Sequence, residues 1–543
     1  MARSQIVIMY IQPWGDTISP LVVKSVTGQL VDVINGAIYP CCVNFRDGKV
    51  MRLERKVSAP QHYIIPGLID SHIHIESSHL TPYRFAEQAV INGTTAVVAD
   101  PSPTAMALGR PGLDYLSQAA ASTPLRLYFT APSNVPSLGW REVKELLSRP
   151  EYVGLGEVTD HAGLLNESSD IMSKLEVARQ EGMPVDGHAP GLRGYDLDRY
   201  IMAGVSSDHE CTSVDEAAYK HRKGLQIMLR EGSADKNLRA LLPFARDNKF
   251  LLATDYLRAV DLAGGHVNQL LRQAVAEGLD PMAAIRAATI WPAQHYGLSG
   301  GSIFVGGAAD FTVVSDLKTF NVLETWINGE VVAKNGEPLF LGNPPPTPGS
   351  FSVPHLKLTE LEVTDPGPVV RVRIMEVGEG RGVTWGEANL RVLNMEVLAE
   401  PTMDILHLVH VMPGTPPGVR TGFIKGLGLA SGALATSELY GLNGVVGVGA
   451  SLPEVMEAIN AVVDMGGGLV AHMDHQRASL QLPVAGLMSD QAGGEIARQE
   501  SDLAAMVRSM GSRVEDPFLT LAILSPEIRN LFVVREVVEA PSV

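Results

Sequence analysis

Cysteine is nearly absent, with three in 543 residues. Two of the three are the neighbours Cys41 and Cys42, so there is no disulfide framework, and Cys211 reads as a packed thiol. Uninterrupted apolar stretches of the roughly 18 residues that span a bilayer are missing. The opening residues, Met1-Ala2-Arg3-Ser4-Gln5-Ile6-Val7-Ile8-Met9-Tyr10, lack a secretory h-region and a cleavage site. These absences predict a cytoplasmic protein without a membrane partner. Positive charge is also scarce: 43 Lys and Arg against 60 Asp and Glu give a formal net charge of −17. A nucleic-acid partner is thereby disfavoured, because phosphate backbones are held by basic surface. What the chain does have is 45% hydrophobic and 19% charged residues, enough for several cores and two to four domains.

Histidines and carboxylates stand out by position. Asp70-Ser71-His72-Ile73-His74-Ile75-Glu76 follows the run Tyr63-Ile64-Ile65-Pro66-Gly67-Leu68-Ile69. Side chains alternate with period two along a strand, so His72 and His74 face the same way and can share a metal ion. Other ligand-type residues each end an apolar run of their own. Tyr152 to Gly156 leads to Glu157, Met183 to Gly187 leads to His188, Gly204 to Asp208 leads to His209, and Phe250 to Thr254 leads to Asp255. Helix-like stretches lie between them at 168–181, 196–203, 214–221 and 236–247. Strand-then-helix alternation argues for an α/β fold with parallel sheet, and a closed (β/α)8 barrel gathers the carboxyl ends of its strands on one face.

Each of these residues has a bland alternative: His188 in a loop, His209 capping a helix beside Glu210, Glu157 solvated, Asp255 as an N-cap. Their joint placement at successive strand ends argues for a cage instead. His72, His74 and one carboxylate suit one divalent ion, and His188 with His209 suits a second, with Glu157 able to bridge. Two ions about 3.5 to 4 Å apart would share a water and lower its pKa toward neutrality.

Several segments carry a family resemblance. Pro66 to Ser78, Gly156-Glu157-Val158, Asp186-Gly187-His188-Ala189-Pro190-Gly191-Leu192, Ser207-Asp208-His209-Glu210-Cys211-Thr212 and Arg230-Glu231-Gly232-Ser233-Ala234 resemble bacterial adenine deaminase, a branch of the amidohydrolase superfamily. So do Gly422-Phe423-Ile424-Lys425-Gly426 and Leu482 to Asp490. The resemblance implies that His72, His74, Glu157, His188, His209 and Asp255 hold two divalent ions, iron or manganese, with zinc as a further option. It also implies a small nitrogen heterocycle as substrate, with Asp255 as proton shuttle. The departures fall around the substrate. Where the family usually reads Asp-Pro-His-Glu this chain has Asp100-Pro101-Ser102-Pro103; Thr-Asp-Asp-Arg-His becomes Thr254-Asp255-Tyr256-Leu257-Arg258; and His-Asp-Ser-His-Asn becomes Tyr440-Gly441-Leu442-Asn443-Gly444. Ser102, Glu231, Ser233, Tyr256, Arg258 and Tyr440 are therefore expected to line the pocket, Tyr256 and Arg258 reshaping it toward an anionic or larger ring.

Deaminating a purine requires a general acid beside the ring nitrogen, and the family's acidic position is Pro103 here. Glu76, Glu210 or Glu231 is left to supply it. Hydrolysis of a cyclic amide needs only one carboxylate that accepts and returns a proton, so a lactam, imide or hydantoin is the rival to adenine. A metal-free binding protein is a third reading, of a different class.

Along the chain, a segment at 1–17 precedes short alternating runs punctuated by Asn35-Gly36 and Asp47-Gly48, and similar punctuation returns at Asn328-Gly329 and Asn335-Gly336. Residues 18–66 and 300–340 are expected to form one discontinuous β-domain flanking a barrel at 67–299. Pro344 to Ser350 reads as a stiff linker within 341–350. Residues 351–543 are expected to form an α+β domain that closes over the barrel mouth or serves as an oligomerisation surface, giving a homodimer or larger assembly.

Overall fold

The computed structural model describes residues 6–7, 22–349, 353–378, 382–414 and 418–530. Of the segment expected at 1–17 only Ile6–Val7 is described, a strand paired with Val22 and Val23; Ser350, at the end of the expected linker, lies outside the described residues.

The first sheet combines two stretches of chain. Val22–Asp32, Ala37–Arg46, Lys49–Arg55 and Tyr63–Pro66 pair with Phe311–Val314, Val322–Ile327, Glu330–Lys334 and Glu337–Pro338. Its tight turns are built where two successive residues accept positive φ: Asp47 and Gly48 at 50° and 75°, Asn328 and Gly329 at 52° and 70°, Asn335 and Gly336 at 53° and 81°. These are mirror-image turns, whose twist suits a hairpin and which Asn-Gly and Asp-Gly tolerate best.

The barrel begins as the chain leaves this sheet. Its strands are β1 (Leu68–His74), β2 (Thr94–Ala99), β3 (Arg126–Ala131), β4 (Tyr152–Val158), β5 (Val185–Gly187), β6 (Ser207–Asp208), β7 (Gln226–Arg230) and β8 (Leu251–Ala253). β1 through β5 form one parallel ladder and β6 through β8 another. Closure comes from Asp255 and Tyr256, which follow β8 and pair in parallel with Ile73 and His74. Asp70 reinforces that seam: it accepts from Thr254 N at 3.1 Å, Thr254 Oγ1 at 2.5 Å and His266 Nε2 at 2.9 Å.

The barrel is most irregular between β5 and β6, where a backbone bond from Ser206 N to Val185 O at 2.9 Å holds the two short strands together. A Cβ at Gly187 would lie 2.2 Å from Ser207 O, so the close approach requires glycine. Amphipathic helices cover the outside, among them Ser169–Glu181, which ends on Gly182 in the left-handed region at φ 67°. Strands buried along their whole length, as β1 and β2 are, are what a parallel sheet wrapped by helices demands.

Beyond the linker lies a nine-stranded mixed sheet containing Val369–Val377, Val383–Leu393, Ile405–Met412 and Gly418–Lys425. Helix Leu452–Asp464 packs on it through Leu452, Val455, Ile459 and Val462. This part of the chain rests on the barrel's carboxyl end. Ser489 N donates to His79 O at 2.8 Å and Thr81 N to Ser489 O at 3.0 Å, while Glu500 accepts from Val260 N at 2.8 Å. Among the described residues no helix is long and apolar enough to cross a membrane.

Candidate metal centre

Four imidazoles and two carboxylates converge at the carboxyl ends of β1, β4, β6 and β8 and just beyond β5. His72 and His74 are alternate residues of β1, Glu157 lies in β4, His188 and His209 directly follow β5 and β6, and Asp255 is two residues past β8. Glu157 divides its two oxygens between two histidine pairs. Oε1 is 2.9 Å from His74 Nε2 and 3.7 Å from His72 Nε2; Oε2 is 2.9 Å from His188 Nδ1 and 3.5 Å from His209 Nε2. Asp255 Oδ1 lies 3.6 and 3.7 Å from the Nε2 atoms of His72 and His74. Three compact donor sets result: His72, His74, Glu157; Glu157, His188, His209; and His72, His209, Asp255.

These donors fit divalent cations. His72 Nε2, His74 Nε2, His188 Nδ1 and Asp255 Oδ1 are buried, and no group completes a well-formed hydrogen bond to them; buried polar atoms are otherwise almost always paired. Burial alone would disfavour charge on His74, but Glu157, Asp100 and Asp255 outweigh it and push its pKa up to about 10. His188 and His209 are displaced upward in the same way by Glu157 and Glu210. Burial opposes ionisation of Glu157, yet His188, His209 and His74 hold its carboxyl well below the usual range. The carboxylates thus hold protons on the imidazoles that a divalent cation would displace on binding, and imidazole with carboxylate suits manganese, iron or zinc.

Behind the ligands stands a layer of buried aspartates that the sequence reading did not single out. Asp70, Asp100, Asp186 and Asp208 are at most 1% exposed. The Asp100 carbonyl accepts from His74 Nδ1 at 2.9 Å, which fixes the tautomer and leaves Nε2 free to ligate. The Asp100 carboxylate accepts from Glu157 N at 3.1 Å, Thr130 Oγ1 at 3.2 Å and Ser102 N at 2.9 Å, and from the Ser102 hydroxyl. Asp186 takes bonds from Tyr296 OH at 2.9 Å and Ser207 Oγ at 2.9 Å. Asp208 is paired with Lys220 Nζ at 2.9 Å and accepts from Ala189 N at 2.9 Å. A signal was present in the sequence: Asp70 and Asp186 each precede a cage histidine by two residues, and Asp208 precedes His209 by one. Cys211 is packed here, its thiol donating to Asp208 at 3.2 Å.

The remaining candidates separate into two groups. Tyr256 and Tyr440 reach the cage: the Tyr256 ring stacks on His74 with centroids 4.8 Å apart, and Tyr440 stacks on Tyr256 at 5.1 Å and 11°. Glu210 also reaches it, with Oε1 3.3 Å from both His188 Nδ1 and His209 Nε2. Although buried, it is held down to a pKa of about 2 by His188 and Arg230.

The others are engaged elsewhere. Ser102 is bound to Asp100. Glu76 is fully buried and accepts from Thr104 N at 3.2 Å and Thr104 Oγ1 at 2.5 Å. Glu231 accepts from Leu238 N at 3.2 Å and lines a separate cavity of about 260 Å³ with Lys236, His266 and Gln269. Ser233 Oγ donates to Asp261 at 2.5 Å and accepts from Arg258 N at 2.8 Å. Arg258 corrects the expectation that it would offer charge to a substrate. Its guanidinium forks onto Glu438 at 2.6 and 3.0 Å, reaches Asp516 at 2.8 Å and contacts Ser77 O at 3.1 Å and His79 Nε2 at 2.6 Å. It rivets the C-terminal sheet to the barrel, because a buried arginine must be matched by anions.

Comparison with known proteins places this geometry in a lineage. Residues 63–332 match the amidohydrolase family and residues 383–529 match the adenine deaminase C-terminal domain. The adenine deaminase of Methanothermobacter thermautotrophicus is 38% identical over 514 residues, covering 92% of this chain and 95% of its own. That of Methanosarcina mazei is 35% identical over 533 residues, with 93% and 96% covered. The chain belongs to the adenine deaminase family. Among solved structures, the β-aspartyl dipeptidase of Fervidobacterium islandicum AW-1 is 18% identical with a TM-score of 0.48, covering 58% of this chain and 100% of that one. As a family member the protein is a hydrolase of a non-peptide C–N bond, and its clustered donors form a divalent metal centre.

Proposed function

We propose that the protein hydrolyses adenine to hypoxanthine and ammonia at a site holding two divalent ions, manganese or iron in the first instance. The observation that carries the two-ion site is Glu157, which offers one oxygen to His72 and His74 and the other to His188 and His209. Identity of 35–38% with adenine deaminases along more than nine-tenths of the chain supports the substrate. Ions bound there would supply Lewis acidity and bring the pKa of a shared water toward neutrality.

The chain's own residues carry the water's proton and hold the ring. Asp255 Oδ1, which no donor occupies, accepts the proton of the attacking water and returns it to the departing amino nitrogen. Tyr256 and Tyr440, nearly parallel to the His74 ring, make an aromatic wall against which a flat ring can stack. Glu210, ionised and facing the cage, accepts a hydrogen bond from an N–H of the heterocycle.

One observation favours a second reading, ring-opening of a cyclic amide: Glu76 and Glu231 are engaged elsewhere and both oxygens of Glu210 accept from Arg230, so none of the three is free to protonate a purine nitrogen. The test is incubation of the metal-loaded protein with adenine and with lactams, imides and hydantoins. Hypoxanthine with equimolar ammonia supports deamination. A ring-opened acid without ammonia overturns it in favour of the second reading.

A further inference from the structure

Arg230 closes β7 and opens a segment that resembles the adenine deaminase family, yet its guanidinium is 3% exposed and points at protein. Nη1 donates to Glu210 Oε1 at 2.5 Å and to Asp255 Oδ2 at 2.7 Å, and Nη2 donates to Glu210 Oε2 at 2.9 Å. One planar group thus straps a carboxylate beside His188 and His209 to the carboxylate beside His72 and His74. The two oxygens of Asp255 are differentiated as a result. Oδ2 is taken by Arg230, while Oδ1 has no donor and faces the Nε2 atoms of the β1 histidines at 3.6 and 3.7 Å.

Asp255 is also held at φ 60°, a conformation that a non-glycine residue keeps only where its surroundings fix it. Gly232, two residues past Arg230, is required for the same packing, since a Cβ there would meet Thr254 O at 2.1 Å and Tyr256 O at 2.4 Å. The end of β7 and the loop carrying Asp255 are therefore seated on each other. A buried cation beside a site built for cations is electrostatically unfavourable, so its presence calls for a geometric role.

We propose that Arg230 is a positioning residue: through its fork to Glu210 and Asp255 it holds Asp255 with Oδ1 aimed into the metal cage. The inference rests on the reading of Asp255 as proton shuttle. Lysine supplies the same charge as a single point and cannot span both carboxylates in this geometry, so Arg230→Lys separates position from charge. Release of Asp255 by about 1 Å is expected to lower kcat about 100-fold, with KM within about twofold because binding of the ring is untouched. Bound metal per chain in Arg230→Lys is expected to equal that of the wild type, with the melting temperature lowered modestly because one buried carboxylate loses its donor.

A second readout needs no substrate: the EPR spectrum of the manganese-loaded protein changes in Arg230→Lys at equal manganese content. A lysine variant with wild-type kcat overturns the proposal, as does one whose activity falls only in proportion to lost metal. If the wild type leaves adenine unchanged, the functional reading fails by itself. The EPR comparison then decides the positioning role, identical spectra overturning it.

Discussion

Asp100→Asn tests whether the buried aspartates build the metal centre. The carboxylate accepts from Glu157 N and Thr130 Oγ1 on Oδ2, and from Ser102 N and its hydroxyl on Oδ1. An amide keeps the shape but must turn its NH2 toward one of these pairs. Either orientation leaves a buried backbone N–H facing a donor, which costs about 1–3 kcal/mol. If the NH2 faces β4, Glu157 N is the group set loose, and the carboxylate shared by both histidine pairs moves with it. Lost support behind a ligand typically weakens metal affinity 10- to 100-fold, about 1.4–2.8 kcal/mol, the same size as the local penalty. Thr130→Val is the control. It removes one 3.2 Å bond and leaves no unpaired donor, so about 0.5–1.5 kcal/mol is at stake. The assay is manganese competition against a chromogenic chelator for both variants and the wild type. An Asp100→Asn affinity within twofold of wild type, at unchanged fold, would refute the reasoning.

Four further outcomes are expected. Arg258→Met leaves Glu438 buried without its cation and should destabilise the protein by about 3–5 kcal/mol, while Arg258→Met with Glu438→Gln should recover much of that, measured by chemical unfolding. Burial would raise the Glu438 carboxyl, but Arg258 and His79 hold it well below the usual range; a depressed pKa stabilises above the unfolded value of about 4.3 and that contribution is lost as pH falls below it. Acid melting curves should accordingly fall less steeply for Glu438→Gln than for wild type between roughly pH 5 and 3. Removing metal with a chelator should lower the melting temperature, since ligand at 100 times its Kd stabilises by about 2.7 kcal/mol, and manganese should restore it. Tyr440→Ala should raise KM for the preferred heterocycle about tenfold with a smaller change in kcat, as loss of a stacking wall worth about 0.5–1.5 kcal/mol implies, read from initial rates.

The convergence of the cage side chains was legible because chemistry and position coincide. A histidine or carboxylate that ends an apolar strand in a barrel has one place to go, and the ordering of Glu157, His188, His209 and Asp255 along the chain already implied convergence. The hairpins of the first sheet were legible from Asn-Gly and Asp-Gly turns. Partnership over long separations was not. Nothing local to Arg258 reveals that Glu438, 180 positions away, will claim its guanidinium, nor that Thr104 will occupy Glu76. The family motif suggested a pocket role for Arg258 and the need for an acid suggested one for Glu76, whereas a buried charge is governed by whichever partner the fold delivers. The aspartate layer was visible as residues but not as a function, because its partners, Thr130, Tyr296 and Lys220, belong to other strands and helices.

The most direct measurement is an anomalous difference map from manganese-loaded crystals. Two peaks are expected about 3.5 to 4 Å apart, one among His72, His74 and Glu157 and the other among Glu157, His188 and His209. Cation density confined to the protein surface, with the cage empty at saturating manganese, would contradict the account.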